Sequence, residues 1–290
     1  MENLRGAAFM VLAMLGFAIE DMLIKFMASA LPVGQIIGML GVGSALIAAG
    51  ILVAQGQRLF ARAMWTPVIL LRALGELIGT MGFVTAIALT PLSSASAILQ
   101  ATPLFVTLGA AVFLQEAVGW RRWSAILVGF LGVVLIIRPG MEGFSWLSLF
   151  ALQGVVGLGI RDLATRRVSA ETSSMQLSFL AFLVLIPAAG LLTWINGTSL
   201  VPPSATHWIY FSIALLIGIA AYYGIVVAMR IGDVSFVTPF RYSRIIFALV
   251  VGVFVFGEAP DAMTLLGAAI IMMSGLYTLW RERNVRANTA

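Results

Sequence analysis

Between residues 6 and 280 this chain is a succession of apolar runs, each long enough to cross a bilayer, with short polar breaks between them. At a helical rise of ~1.5 Å per residue, about 20 apolar residues cover the hydrocarbon thickness of a membrane. Ten such runs can be read, at 6–27, 33–54, 66–88, 93–114, 122–138, 145–163, 173–195, 206–229, 235–257 and 261–280. Breakers fall between them at Pro32, Pro67, Pro91, Pro139–Gly140, Pro202–Pro203 and Pro260. The predicted fold class is therefore an all-α integral membrane protein of ten transmembrane helices. The loops are short enough that neighbours in sequence pack together.

Composition narrows the function. The 290 residues are 61% hydrophobic and 10% charged, against roughly 25% charged in a soluble domain. The net charge of +5 does not mark a nucleic-acid partner, because the basic residues stand in ones, twos and threes between apolar runs. With no cysteine and a single histidine, His207, neither a disulfide nor a metal site is expected, and no cofactor is implied. Arg5 before an apolar run and Ala28-Ser29-Ala30 after it imitate a cleavable leader. Glu20, Asp21 and Lys25 between that run and the supposed cut favour a retained first helix.

The basic residues also orient the chain. With the N-terminus inside, the inside loops hold twelve arginines: Arg5, Arg58, Arg62, Arg121, Arg122, Arg161, Arg166, Arg167, Arg230, Arg281, Arg283 and Arg286. The outside loops hold only Arg138. Such an excess places both termini in the cytoplasm and the chain in the cell membrane.

The two halves of the sequence resemble each other. Gly16-Phe17-Ala18-Ile19-Glu20-Asp21 with Lys25 aligns with Gly157-Leu158-Gly159-Ile160-Arg161-Asp162 with Arg166 at an offset of 141. Leu114-Gln115-Glu116 aligns with Phe256-Gly257-Glu258 at an offset of 142. This predicts two five-helix repeats, residues 1–140 and 141–290. Five is odd, so the second repeat enters the membrane from the opposite side. Inverted repeats of this kind build secondary transporters, whose halves exchange conformations around one central site.

Charges inside the spans mark that site. Lys25, Arg72, Arg241 and Arg244 are the basic residues left within spans, and Glu20, Asp21 and Glu76 are the acids. Each costs about 3 kcal/mol at mid-membrane, so they pair, snorkel or line a wet cavity. Asp21 and Lys25 are spaced i,i+4 near one end of the first span, and Asp162 and Arg166 occupy the related place in the sixth. These four read as an interfacial ion pair and its repeat mate, or as gates. Arg72 and Glu76 are again i,i+4, and Arg241 and Arg244 share a face of the ninth span. The candidate substrate-binding residues are Arg72, Glu76, Gln100, Arg241, Tyr242 and Arg244, with a helix-joining network as the structural alternative. Pro103 and Pro239 lie within or at the start of spans four and nine, where they kink a helix or free backbone carbonyls. Trp65, Trp120, Trp146 and Trp208 at span ends read as an interfacial belt.

Several stretches resemble the EamA-type members of the drug/metabolite transporter superfamily. They are Ala88-Leu89-Thr90-Pro91-Leu92 through Leu114-Gln115-Glu116 to Arg138-Pro139-Gly140, Arg161-Asp162-Leu163-Ala164-Thr165-Arg166, and Pro239-Phe240-Arg241-Tyr242 followed by Phe256-Gly257-Glu258. The resemblance covers nearly the whole chain and implies ten spans in an inverted five-plus-five repeat. Asp21 with Lys25 and the Pro-Phe-Arg-Tyr segment resemble members that carry S-adenosylmethionine or riboflavin, and other members export amino acids. Two departures stand out. Many relatives have an arginine shortly after the second-span glutamine, whereas Gln35 is followed by Ile36-Ile37-Gly38-Met39-Leu40-Gly41. Arg244 is a charge outside the general pattern.

The expected function is secondary transport of a small polar organic metabolite by alternating access. The excess of buried arginine suits an anionic or zwitterionic cargo. Coupling to protons or sodium is open, with Glu76 as the natural proton carrier, and homodimerisation is open as well. An intramembrane enzyme or a channel could use the same charges. An enzyme lacks support, because no G-x-S-x-G or H-E-x-x-H pattern occurs, and no phosphate-binding loop marks a nucleotide-driven pump.

Overall fold

A computed structural model describes residues 2–113, 115, 119–141, 144–169, 171–231 and 234–289, with backbone alone at 226, 229, 230, 234, 235 and 282–289. Its helices are α1 (Glu2–Ala28), α2 (Val33–Ala54), α3 (Pro67–Leu89), α4 (Leu92–Leu99), α5 (Thr102–Phe113), α6 (Trp120–Ile137), α7 (Ser148–Thr165), α8 (Ser174–Asn196), α9 (Ala205–Ile231), α10 (Val234–Val237), α11 (Ser243–Phe256) and α12 (Ala262–Thr289). Nine segments are long and apolar enough to cross a membrane among the described residues. The tenth crossing is α7, whose Gln153, Arg161 and Asp162 lower its hydropathy. The chain is an all-α membrane protein of two inverted five-helix repeats.

Local signals set the helix ends. The Thr66 hydroxyl accepts from the Ile69 amide at 3.3 Å ahead of Pro67, the first residue of α3. Ser173 and Gln176 form a reciprocal capping box on α8. Outside the bundle, large apolar side chains such as Leu12, Leu46, Leu131, Leu216 and Phe254 are exposed. In water such a surface would aggregate, but in a bilayer it meets hydrocarbon. Trp65, Trp120, Trp146 and Trp208 are exposed too, at or beside helix ends, as a belt requires.

Two expected spans are not single helices. The fourth is split into α4 and α5 at Gln100–Ala101, and the ninth consists of α10, a 3-10 turn over Thr238–Tyr242, and α11. The proline that lacks an N–H explains the first break. Pro103 cannot donate to the Leu99 carbonyl, and the Thr102 hydroxyl takes that carbonyl at 2.6 Å instead. Pro239 lies inside the 3-10 turn of the second break.

The tightest helix pairs are α1 with α9, α3 with α7, α2 with α8, and α6 with α12. Each joins a helix of one half to a helix of the other. Exchanging the halves turns the α1·α9 pair into α7·α3 and leaves the other two pairs unchanged, so the packing itself is two-fold. The α3·α7 seam brings backbone against backbone. A Cβ on Gly157 would lie 2.2 Å from the Gly79 nitrogen, and one on Gly79 would lie 2.6 Å from the Leu158 nitrogen. Small residues permit this approach, which supplies the packing that a hydrophobic effect cannot supply inside lipid.

The backbone repeats as well. Gln115 and Gly257, set opposite one another by the offset of 142, both adopt left-handed conformations, with φ of 55° and 64°. Glycine takes this conformation without strain, whereas glutamine does not. The position therefore keeps its geometry although its side chain differs. Glu116, the expected mate of Glu258, lies outside the described residues.

Candidate functional site

The expected cluster of buried charges divides into two sets, and no hydrogen bond or ion pair joins them among the described residues. The first set gathers on α1, α4 and α11. Arg244 donates to the Asp21 carboxylate through Nη2 at 2.6 Å and Nε at 3.2 Å, an arrangement with both groups largely buried. Its guanidinium also lies between two rings, 5.2 Å from the centroid of Phe17 and 5.2 Å from that of Phe83. Cation–π contact on both sides adds to the ion pair where water is scarce. Asp21 therefore does not pair with Lys25. A helix-surface i,i+4 pair gives only about 0.2–0.5 kcal/mol, so a two-point contact with a buried arginine wins.

Lys25 reaches instead to the face on which α1 ends. Its ammonium donates to the carbonyls of Ile87 and Thr90 at the end of α3 and lies 3.6 Å from Glu258 Oε1. Glu258 follows Gly257, the left-handed cap of α11. Its carboxylate accepts from the Leu92 amide, from the Ser93 amide at 3.0 Å and from the Ser93 hydroxyl at 2.6 Å. A carboxylate from elsewhere in the chain thus caps α4, whose own preceding residue, Pro91, provides no side-chain cap. One acid ties together α1, α4 and the end of α11.

The second set lies along the α3·α7 seam. Glu76 pairs with Arg161 at 3.3 Å and accepts from the Thr80 hydroxyl at 3.3 Å. Arg161 also holds Asp162 at 2.8 Å. Arg72 turns away from Glu76 and donates to Thr165 Oγ1 at 3.0 Å and to the Leu177 carbonyl at 3.1 Å. The expected Arg72–Glu76 pairing is thus replaced by contacts across the seam, because the close approach of α3 and α7 brings better-placed partners than the next turn does. Asp162 takes Arg161 as its partner, and Arg166 stands at the C-terminal cap of α7. Arg161 is a helix residue, not the loop residue assumed in the charge count.

Between the sets lie the two broken spans. Gln100 Nε2 donates to the Arg241 carbonyl at 2.8 Å, so the break in span four touches the break in span nine. The Arg241 guanidinium is half-buried and has no hydrogen bond or ion pair among the described residues. Tyr242 is buried, and its hydroxyl is unpartnered and packed over Gly275, so close that no side chain fits there. That hydroxyl faces α12 instead of an open space. Of the six expected substrate-binding residues, Gln100 and Arg241 meet at the breaks, Tyr242 and Arg244 flank them on adjoining backbone, and Arg72 and Glu76 belong to the seam.

Sequence reasoning missed Arg161, Glu258, Phe17 and Phe83 as members of these networks. The repeat alignment carried a signal for the first, since it set Arg161 opposite Glu20, one ionisable residue against another. The two phenylalanines are indistinguishable from lipid-facing residues until the fold places them over Arg244. Among the described residues no group of three or more His, Cys, Asp or Glu side chains converges as a metal site would need.

Two broken, repeat-related spans inside an inverted ten-helix bundle with buried charges define a membrane transporter. Two stretches, residues 4–138 and 145–280, each match the EamA-like transporter family, and the chain belongs to that family, within the drug/metabolite transporter superfamily. It is a multi-pass small-metabolite transporter. A riboflavin transporter of Vibrio cholerae is 31% identical over 224 residues, covering 74% of this chain and 74% of that protein. An S-adenosylmethionine uptake transporter of Rickettsia bellii is 25% identical and covers 74% of this chain and 72% of its own. A pseudopaline exporter of Pseudomonas aeruginosa is 28% identical, covering 93% of this chain and 94% of its own. A crystal structure at 19% identity superposes with a TM-score of 0.60 over 92% of this chain and 97% of that one, which speaks to the fold alone.

Proposed function

We propose that the chain is a secondary transporter that moves an anionic or zwitterionic metabolite by alternating access, binding it where the fourth and ninth spans break. The observation that carries this reading is the meeting of Gln100 with the Arg241 backbone beside an unengaged, half-buried Arg241 guanidinium. Discontinuous helices at the repeat interface offer a ligand unpaired backbone groups and helix ends. A guanidinium held there with no hydrogen bond or ion pair among the described residues is suited to a carboxylate, phosphate or anionic ring. Arg244, held by Asp21 and flanked by Phe17 and Phe83, supplies a second polar wall with aromatic faces. The cargoes named for relatives, riboflavin, S-adenosylmethionine and pseudopaline, differ in charge but are all polar organic molecules.

The remaining assignments follow from the same reading. The repeats divide at residues 140 and 141, the termini face the cytoplasm, and the bundle sits in the cell membrane. Lys25 with Glu258 then closes the outer face, while Asp162 and Arg166 stand towards the inner one. The chain has no cysteine, so single cysteines at Thr198 and Ser169 read the orientation cleanly with an impermeant thiol reagent. Labelling from outside is expected at position 198 and not at 169.

The test of the site is thermal stabilisation of the purified protein against amino acids, S-adenosylmethionine, riboflavin and nucleosides. A compound that stabilises the wild type but not folded Arg241→Ala identifies the cargo class and supports the site. Equal stabilisation of both proteins removes Arg241 from binding.

A further inference from the structure

Among the described residues, Glu20 is the intramembrane carboxylate that the ion-pair networks do not take up. Lys25 is engaged by Glu258 and by the end of α3, Arg244 by Asp21, and Arg161 by Glu76 and Asp162. Glu20, half-buried on α1, has no hydrogen bond or ion pair among the described residues. It is not loosely placed. Its carboxylate lies against α9 at Gly218, where an added Cβ would stand 2.5 Å from Oε1, 2.8 Å from Cδ and 3.0 Å from Oε2. The absence of a side chain at Gly218 is what makes room for it.

The repeat sharpens the contrast. The alignment sets Glu20 opposite Arg161, and an offset of 142 sets Gly218 opposite Glu76. In one half the two positions hold an ion pair on the α3·α7 seam, and in the other they hold a carboxylate against a glycine on the α1·α9 seam. The same two-fold-related place is filled once by charge paired with charge and once by an acid set against a glycine.

We propose that Glu20 is a proton-binding site that couples transport to the proton gradient. This rests on the transporter reading above. A carboxylate in hydrocarbon either finds a cation or carries a proton, and among the described residues Arg244, bound to the adjoining Asp21, is already paired. Besides Glu2 and Arg5 at the start of α1 and His207, Tyr210, Tyr223 and Arg230 along α9, the ionisable groups on elements packed against α1 are these. Asp21 and Lys25 lie on α1 itself, Arg244 on α11, and Arg241 and Tyr242 on the 3-10 turn. Arg72 and Glu76 lie on α3, and Tyr222 lies one turn beyond Gly218 on α9. α2, α4 and α10 bring none. Of these, Asp21 adjoins Glu20 in the chain and Arg244 is held by Asp21. With Glu20 protonated the trio of Glu20, Asp21 and Arg244 is neutral, and with it ionised the trio carries one negative charge. Proton release therefore changes the balance at the residue that holds Arg244 beside the breaks. Among the described residues no third carboxylate joins Glu20 and Asp21 as a cation site would need, and α9 offers a glycine there. Glu76, the proton carrier expected from the sequence, is occupied by Arg161 and Thr80.

Infrared difference spectroscopy on the protein in liposomes, recorded as pH is stepped, reads a protonated carboxyl by its C=O stretch. The wild type and Glu76→Gln are expected to show a band that titrates, Glu20→Asp a displaced one, and Glu20→Gln none. A wild type without the band, or a band that survives Glu20→Gln, overturns the proposal whatever the cargo. Coupling is read in proteoliposomes with labelled riboflavin and S-adenosylmethionine. Glu20→Gln is expected to keep exchange and to lose accumulation driven by a pH gradient. Retained accumulation, or accumulation driven by sodium instead of protons, overturns the coupling role. A wild type that exchanges neither compound counts against those cargoes, and the infrared band still decides the proton site.

Discussion

Gln100, at the break of span four, donates its side-chain amide to the carbonyl of Arg241, at the break of span nine, at 2.8 Å. One bond thus fastens the break of the first half to the break of the second. Replacing Gln100 with leucine removes the donor and leaves a carbonyl at the break without it. The expected cost is about 1 kcal/mol, read as a lower unfolding temperature in detergent, together with a larger fractional loss of transport than of stability. Unchanged transport would detach the breaks from function.

The Asp21–Arg244 pair is buried and doubly hydrogen-bonded. Removing one partner leaves a charge stranded in hydrocarbon, for which about 3–5 kcal/mol is the usual penalty. Asp21→Asn and Arg244→Met are each expected to be strongly destabilising, and the double variant less so than the sum. A double-mutant cycle with additive losses would mean that the pair does not couple α1 to α11.

Glycines separate into those that hold seams and those that do not. Gly157→Ala drives a Cβ into the Gly79 backbone and is expected to abolish the folded monomeric species in fluorescence-detected size exclusion. Gly50, exposed inside α2 with nothing within 4 Å of a built Cβ, is the control. There alanine is expected to stabilise by about 0.5–1 kcal/mol through helix propensity.

Arg138 and Asp261 form an ion pair between the ends of α6 and α12, and the Thr264 amide donates to the same carboxylate at 2.9 Å. The Arg138 hydrogen bond and the Thr264 amide hold the Asp261 carboxyl well below the usual carboxylate range. A depressed acid stabilises the fold above the unfolded-state value, about 3.9, and loses that contribution as pH falls through the folded one. The stability difference between wild type and Asp261→Asn should thus be constant from pH 5 to 9, and shrink only below about pH 4. A difference that changes across neutral pH would point to another group.

The ten spans were legible because hydrophobic run length in a membrane depends on composition alone, and the bilayer demands it. The repeat was legible too, and Gln115 and Gly257 show that it extends to backbone conformation where side chains no longer agree. Partners were not legible. Asp21, Lys25, Arg72 and Glu76 were paired by spacing along one helix, but in the fold each takes its closest polar contact from another segment or, for Glu76, chiefly from Arg161 on α7. Spacing describes the neighbours a residue has in an isolated helix. Glycine seams such as Gly79 against Gly157 bring rivals nearer than those neighbours. The helix breaks were half legible: Pro103 and Pro239 marked the places, and nothing in the local sequence distinguishes a kink from a full interruption.

The helix pairing also decides what can move as a body. Since every tight seam joins a helix of one half to a helix of the other, neither half of the sequence is a mechanical unit. The α1·α9 pair is one block and the α3·α7 pair is another, and the pseudo-two-fold carries each onto the other. The duplication boundary therefore runs through the interior of each of these pairs. Whatever the α1·α9 pair can do at one side of the membrane, the two-fold relation allows the α3·α7 pair to do at the other.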